Sequence, residues 1–593
     1  MTEIRKEHDE VSLSAIRPLP AGGGEDHARI ESPRFDARRW RRFAAIAGPY
    51  WRSEERWQAG LLIVLLSALL IGQTGFNLQF VRQSGELTSA LAARDPERYW
   101  SAIRWTVVIL VLAVPIWALY YYVRDTLGIR WRRWLTHRFV DAWLNDRAYY
   151  RLNAGAGIDN PDQRIAEDVA TFTQQSLYFA MVALGAVIQL AAFVTLLWSI
   201  SRPLVYFLVG YALFGTIVTA RVFGRPLVGL NFRQLRREAD FRFGLVRIRE
   251  HAEPIAFSRG EADESQRLRL RFDAVFRNFR RLIRTQFGLN LFQYAFSFLT
   301  LVLPGAIIAS SVLSGELEVG AAVQAGGAFA AILAAMTVVV DHFEGLSRLS
   351  AGVDRLYGFA QQLGAPADSA AGIVTVEAQR LRLESVNVDT PDRGRRLVRE
   401  LSVTVEPGSG LLIVGGSGGG KSSLLRAIGG LWTAGDGRIE RPPPDQVVFL
   451  PQHPYMPLGS LRDQVLYPER GRMLTDAELA ALLERVNLGS ILDRLGGPLA
   501  EHDWAKVLST GEQQRLAFAR VLLARPRYAM LDEATSALDA ANEARLYGEL
   551  ASAGITPVSV SHRAALLAYH DQVLELPGDG SWRVLPARDY RFT

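Results

Sequence analysis

Gly415-Gly416-Ser417-Gly418-Gly419-Gly420-Lys421-Ser422 is the stretch whose reading decides the fold of the C-terminal part of this chain. It fits the pattern G-x-x-x-x-G-K-[ST]. Immediately before it, Leu411-Leu412-Ile413-Val414 is a short apolar run that reads as a buried strand, and after it Leu424, Leu425 and Ile428 recur at helical spacing. Strand, glycine loop and helix start is the context in which this pattern binds a polyphosphate. Glycines let the backbone turn its N–H groups inward, and the helix N-terminus adds partial positive charge. Lys421 would reach the β and γ phosphates, Ser422 would place its hydroxyl on Mg²⁺, and Ser423 continues the first turn of the helix. A polyphosphate with Mg²⁺ is therefore expected. A glycine-rich turn that binds nothing has no need of Lys-Ser at this spacing.

Around this loop, strand-like runs alternate with helices: 381–388, Leu411–Val414, Val447–Leu450, 528–531 and 557–560. The pattern predicts an α/β domain over 376–593 with a largely parallel core sheet. Tyr528-Ala529-Met530-Leu531 ends in Asp532-Glu533, about 110 residues beyond the glycine loop. An aspartate there suits the surroundings of Mg²⁺, and the adjacent glutamate suits a general base for water. Four further elements follow a fixed order: Gln452 within Leu450-Pro451-Gln452-His453-Pro454-Tyr455, the helix opening Leu508-Ser509-Thr510-Gly511-Glu512-Gln513-Gln514-Arg515, Ser536-Ala537-Leu538-Asp539, and His562 in Ser561-His562-Arg563. Singly these read as a loop amide, a helix cap, a turn and a surface histidine. Jointly, in this order and spacing, those separate readings fail.

The N-terminal half has a different character. Hydrophobic residues make up 49% of the 593. Six stretches approach or exceed the roughly 20 apolar residues that span a bilayer: 61–80, 106–123, 177–200, 205–222, 288–313 and 319–340, the fourth being short. The links after the second and fourth are long and rich in arginine, including Arg233, Arg236, Arg237, Arg242, Arg267, Arg271, Arg280 and Arg284. Arginine excess marks the cytoplasmic face, which puts both termini and both long links there. Apolar residues interleave with these arginines at helical spacing, which favours long cytoplasmic helices over a nucleic-acid surface. The domain plan is a disordered segment over 1–35 without a signal-peptide pattern, an amphipathic helix on the membrane surface over 36–58, a six-helix transmembrane domain over 59–355, a linker over 356–375 containing Ala365-Pro366-Ala367-Asp368-Ser369, and the α/β domain. The net charge of +6 is modest, and the absence of cysteine excludes disulfides and thiolate metal sites.

Taken together these motifs resemble those of ATP-binding cassette (ABC) transporters over nearly the whole chain beyond residue 35. The resemblance implies an exporter-like fold of six transmembrane helices fused to an ABC nucleotide-binding domain. It implies that 415–423 is the Walker A loop, Asp532 the Walker B aspartate on Mg²⁺ and Glu533 the catalytic base. Gln452 becomes the glutamine that contacts Mg²⁺ and water, and His562 the switch histidine at the γ-phosphate. Leu508 to Glu512 stands where the family has LSGGQ. Here it reads LSTGE, with Ser509 and Gly511 retained and Thr510 and Glu512 changed. In this family the signature of one chain completes the ATP site of another, so one cassette with six spans is a half-transporter that pairs, here with a second copy of itself. The aromatic on which adenine usually stacks has no counterpart in Asn387-Val388-Asp389-Thr390-Pro391-Asp392.

Thr390-Pro391-Asp392, Pro451 to Met456, Gly459 to Val465, Asp503-Trp504, Arg130 to Thr136, Asp159 to Arg164 and Glu253 to Phe257 resemble ABC subfamily D and the bacterial SbmA/BacA-like transporters with a fused ATPase. That resemblance implies import of peptides, bleomycin-like glycopeptides or cobalamin across a bacterial inner membrane, with the lipid bilayer and a hydrophilic cargo as partners and no nucleic acid. Gln73, Asn77, Gln189, Asn290, Gln293 and Gln324, polar without charge within the spans, fit such a cargo path. The competing readings are an exporter of lipids or drugs, an acyl-CoA transporter, and a regulatory ATPase that is only anchored by its membrane half. Proton coupling through Asp341, His342 and Glu344 is a further possibility.

Overall fold

The structure is a computed structural model and describes residues 37–154, 161–341, 343–364, 372–469 and 471–592. The expected disorder of 1–35, the Asp159-Asn160 pair and most of the Ala365 to Gly372 run lie outside the described residues. So do His342 and the side chains of Asp341 and Glu344. The chain divides into two compact units near residue 365.

In the first unit, six helices among the described residues are long and apolar enough to cross a membrane: Arg56–Ala92, Pro96–Leu152, Pro161–Ile200, Arg202–Glu250, Glu261–Leu313 and Val319–Met336. The first five each contain an expected span and run beyond it, and the sixth covers all but the end of 319–340. The 53-residue helix Glu261–Leu313 is about 80 Å long at 1.5 Å per residue, against a hydrocarbon core of about 30 Å. The arginine-rich links are thus largely continuations of the spanning helices. The fourth span, short as a sequence run, is part of a helix that passes through a π-turn at Thr219–Gly224 and continues to Glu250. Val107, Leu110, Val111 and Val114 are exposed on their helix, a surface that suits lipid.

Two expected boundaries are corrected. The amphipathic helix expected over 36–58 covers only Ala37–Ala47. Gly48 follows, where a Cβ would lie 2.6 Å from the Ala44 carbonyl oxygen, and Pro49 restricts the residue before it. A short turn at Tyr50–Arg52 then leads into the first spanning helix at Arg56. The linker expected from 356 is helical at its start, because helix Phe343–Leu363 buries Leu356, Phe359, Ala360 and Leu363 in the core.

Packing between helices is close where side chains are small. A Cβ on Gly320 would lie 2.0 Å from the Gly85 carbonyl oxygen, and the Gly320 N–H donates to Ser89 Oγ at 3.0 Å. This joins the first and sixth spanning helices without bulky contacts. Tyr211 stacks on Phe296 at 4.0 Å and donates its hydroxyl to the Phe296 carbonyl. Toward the other end of the bundle, Arg39 and Arg42 both pair with Asp354, and Arg355 holds Asp168 through two bonds of 2.8 and 2.5 Å.

The second unit holds two sheets. Strands β1 (Val374–Glu377), β2 (Leu381–Asp389), β3 (Arg396–Val405) and β5 (Gly435–Arg441) form one, in the order β1-β5-β2-β3. The other has the order β10-β9-β4-β8-β7-β6, from β4 (Leu411–Val414), β6 (Val447–Leu450), β7 (Tyr528–Asp532), β8 (Thr556–Val560), β9 (Gln572–Glu575) and β10 (Arg583–Pro586). All its pairings are parallel except β9 with β10. The run 381–388 therefore belongs to a separate, mainly antiparallel sheet. β2 alternates buried and exposed residues over its first half, as one-sided sheets do, whereas β4 is buried throughout. Helices Lys421–Ile428 and Thr510–Ala524 pack against the parallel sheet, and its loops collect at the C-terminal ends of β4, β6, β7 and β8.

Candidate active site

The glycine loop leaves β4 at Gly415, whose φ of 139° and lack of a side chain are both required: a Cβ there would lie 2.0 Å from the Leu576 carbonyl oxygen. Gly418 and Gly420 also take positive φ, curling the backbone into a concave anion nest. Gly416, Ser417 and Gly418 are exposed, and Gly419 is buried beside Gly578. Lys421 begins the helix and folds back, its ammonium donating to the carbonyls of Gly415 at 2.7 Å and Gly416 at 2.8 Å. Burial lowers its pKa, and the carboxylates of Glu533 and Asp532 offset part of that.

Ser422 Oγ donates to Asp532 Oδ1 at 3.0 Å, joining the start of the helix to the end of β7. Among the described residues no group of three or more His, Cys, Asp or Glu side chains is placed to hold a metal. A hydroxyl, one carboxylate and the nearby Gln452 amide are hard oxygen donors of the kind Mg²⁺ takes when phosphates and water complete its shell. These residues fit Mg²⁺ with a nucleotide.

Glu533 has a φ of 48°, uncommon for a side-chain-bearing residue, and its N–H bonds to Val560 O. The turn directs its carboxylate to Gln452, whose amide nitrogen donates at 3.1 Å, and to His562 Nε2 at 3.9 Å. Lys421, Ser422, Gln452, Asp532, Glu533 and His562, spread over 142 positions of sequence, thus meet at one end of one sheet.

The signature residues do not join them. Ser509 caps helix Thr510–Ala524 in a reciprocal box with Glu512, whose carboxylate accepts from the Ser509 N–H and hydroxyl at 2.9 Å each. Arg494 pairs with the same carboxylate at 2.6 Å. Burial pushes the Glu512 carboxyl up, but the bonds from Ser509 and Arg494 outweigh it and hold the group below its ordinary value. Gly511 lies against the Ala537 carbonyl. No hydrogen bond among the described residues links 508–512 to the glycine loop.

Three side chains outside the expected set tie the loops together. Gln514 is buried; its amide donates to the Gln452 carbonyl and Ser536 Oγ, and its oxygen accepts from the Ala537 N–H. Arg520 donates to the carbonyls of Gln464 and Tyr455, and burial lowers its pKa to about 10. Arg563 bonds to Ser536 O, Leu538 O and the buried Glu543 carboxylate. The sequence clue for the first was a glutamine on an otherwise apolar helix face. The turn that lacks an aromatic meets one from elsewhere, since the Trp432 indole donates to the Asp389 carbonyl.

Comparison with known proteins agrees with this arrangement. A family model described as ABC transporter transmembrane region 2 matches residues 46–313, and one described as ABC transporter matches residues 398–536. The chain is 42% identical to an uncharacterized ABC transporter ATP-binding protein of Synechocystis sp., over 90% of this chain and 82% of that one. It is 36% identical to the chloroplastic ABC transporter D family member 2 of Arabidopsis thaliana, over 97% and 91%. It is 30% identical to a lysosomal cobalamin transporter of Homo sapiens, over 97% and 99%. ATP, with Mg²⁺ as its usual cofactor, is hydrolysed by the second unit to drive transport through the first, in a multi-pass membrane protein of half-transporter build. The chain belongs to the ABC transporters, as a fused transmembrane and ATPase protein of the subfamily D type.

Proposed function

We propose that this chain pairs with a second copy of itself in a bacterial inner membrane and imports peptides or similar hydrophilic compounds, such as cobalamin or bleomycin-like glycopeptides. The observation that carries this reading is the set of uncharged polar residues within the spanning helices: Gln73, Asn77, Gln189, Asn290, Gln293 and Gln324. The Gln73 amide nitrogen is buried without a hydrogen-bond partner, so it has capacity for a polar guest or water. The human relative named for cobalamin carriage supports a hydrophilic cargo. The SbmA/BacA-like likeness rests on the motif residues of both halves, Thr390 to Asp392, Pro451 to Met456, Gly459 to Val465 and Asp503-Trp504 in the second and Arg130 to Thr136, Asp159 to Arg164 and Glu253 to Phe257 in the first.

In this reading the loop 415–423 wraps the phosphates and Lys421 neutralises them. Ser422, Asp532 and Gln452 hold Mg²⁺, which when bound supplies positive charge to the phosphate oxygens. Glu533 takes a proton from water as its oxygen attacks the γ-phosphorus, and the bond to the bridging oxygen breaks with its electrons leaving on ADP. His562 contacts the γ-phosphate. Ser509, Thr510, Gly511 and Glu512 face the nucleotide held by the partner chain.

Direction and cargo have one test. Cells carrying the protein should become more sensitive to peptide or glycopeptide antibiotics with intracellular targets, and Lys421→Ala should abolish the effect. Growth inhibition is compared for wild type, Lys421→Ala and empty vector. Protection by the wild type would reverse the assignment to export, and no difference would count against peptides as cargo.

A glutamate in the signature brings negative charge toward a phosphate, and Arg494 offsets it. Arg494→Met should weaken ATP-dependent hydrolysis roughly two- to fivefold, the scale of a partly exposed ion pair, with the loss greatest at low salt. Glu512→Gln in the same chain should restore it. Steady-state hydrolysis at two ionic strengths checks this, and a failure of that restoration would remove the charge argument.

A further inference from the structure

The membrane half carries an open cavity of about 1220 Å³ that the ATP cycle does not use. It is lined by residues from four helix ends: Gln79 and Arg82 near the end of the first spanning helix, Arg98 and Arg104 near the start of the second, Ser199 at the end of the third and Gln324 near the start of the sixth. Arginine excess marks the face of the links after the second and fourth crossings as cytoplasmic. The short links after the first, third and fifth crossings stand on the other face of the membrane, and the cavity opens among them.

The charges in this cavity are Arg82, Arg98 and Arg104 against Glu86 and Glu97, an excess of one positive charge, and Glu97 is exposed in the first turn of the second helix. Arg98 is committed to the fold, pairing with Glu86 at 2.8 Å and Glu318 at 3.3 Å and so tying the first two helices to the link before the sixth. Arg82 and Arg104 are exposed in the wall and pair with no carboxylate among the described residues. Glutamine amides stand beside them, and Trp100 and Trp105 are each about 60% exposed. Two guanidinium forks from adjacent helices match the oxygens of a carboxylate or phosphate. The flanking indoles offer faces to an apolar or aromatic part. The volume exceeds the roughly 300–1000 Å³ of pockets that hold drug-sized ligands, so a single small ion would leave it mostly water.

We propose that this cavity is a binding vestibule, on the non-cytoplasmic face of the membrane, for a polar solute of oligopeptide size that carries an anionic group, with Arg82 and Arg104 as its anion clamp. The proposal deepens the import reading and rests on it only for the direction in which the solute then moves.

The test uses the full-length protein in nanodiscs of uncharged phosphatidylcholine. Two hexapeptides of the same length, one acidic and one basic, each with a neutral coumarin label, are titrated and followed by fluorescence anisotropy. The acidic peptide should bind at least about tenfold more tightly than the basic one, and Arg82→Gln/Arg104→Gln should remove that preference. Arg82→Lys/Arg104→Lys should keep part of it, and basal ATP hydrolysis should be the same in all three proteins. Equal binding of the two peptides, or an undiminished preference in the glutamine variant, would overturn the proposal. Loss of acidic-peptide binding to the wild type in discs of anionic phosphatidylglycerol would assign the arginines to lipid headgroups and overturn it too. A wild-type chain that binds the acidic peptide but confers no antibiotic sensitivity would sink the import reading and leave the vestibule standing.

Discussion

Glu533→Gln will slow ATP hydrolysis by about 10²–10⁴-fold, the range lost with a positioned general base, while ATP binding persists. Glutamine keeps the size of the side chain and one acceptor oxygen, so the bond from Gln452 at 3.1 Å survives. Only the ability to take a proton goes. Binding should be retained because the contacts proposed for the phosphates come from 415–423, and Lys421 is held by the loop's own carbonyls, not by Glu533. Single-turnover hydrolysis and nucleotide binding by the purified protein separate the two effects. A near wild-type rate would take Glu533 out of this role.

The second large effect belongs to assembly. If each ATP lies between Lys421 of one chain and Ser509 of the other, mixed dimers of variants give opposite results from the same two substitutions. A chain altered at both positions, paired with wild type, leaves two damaged sites. A chain with Lys421→Ala paired with one carrying Ser509→Ala leaves one site wholly intact and one doubly damaged. Hydrolysis should survive only in the second mixture. The structure supplies the reason to expect this: within one chain Ser509 is engaged in capping its own helix, and no bond joins it to the glycine loop. Equal activity in the two mixtures would argue against shared sites.

The residues at the sheet's end were legible because their chemistry is local in sequence. A glycine loop between a strand and a helix, or an apolar strand ending in two acids, announces itself within ten residues. The parallel sheet was legible for the same reason, since β4, β6, β7 and β8 are short apolar runs. What stayed hidden depends on partners far away. The alternation Leu381-Arg382-Leu383-Glu384 sets this run apart from the continuous apolar strands of the core sheet, but its pairing with β3 and β5 is not written there. Arg563 and Arg520 read as surface arginines until the carbonyls they hold are brought to them from 25 to 65 positions away. In the membrane half, apolar runs marked where helices cross but not where they end, because the same helices continue through arginine-rich sequence outside the lipid.

Gln514 has a consequence that reaches past its own site. It sits on the helix opened by Ser509, which in the proposed pair would face the other chain's nucleotide, and it also holds the Gln452 loop that touches Glu533 of its own chain. In that pair a nucleotide pressing on one end of the helix would be felt at the base that serves the other nucleotide. Such linkage is reciprocal, and if each nucleotide steadies the helix for the other, the two sites would fill and fire in concert. Wild-type hydrolysis should rise with ATP more steeply than a simple hyperbola, with a Hill coefficient above one, and Gln514→Ala should bring it back toward one even if turnover at saturation is little changed. A buried amide of no evident chemistry would then be what makes two active sites behave as a single engine.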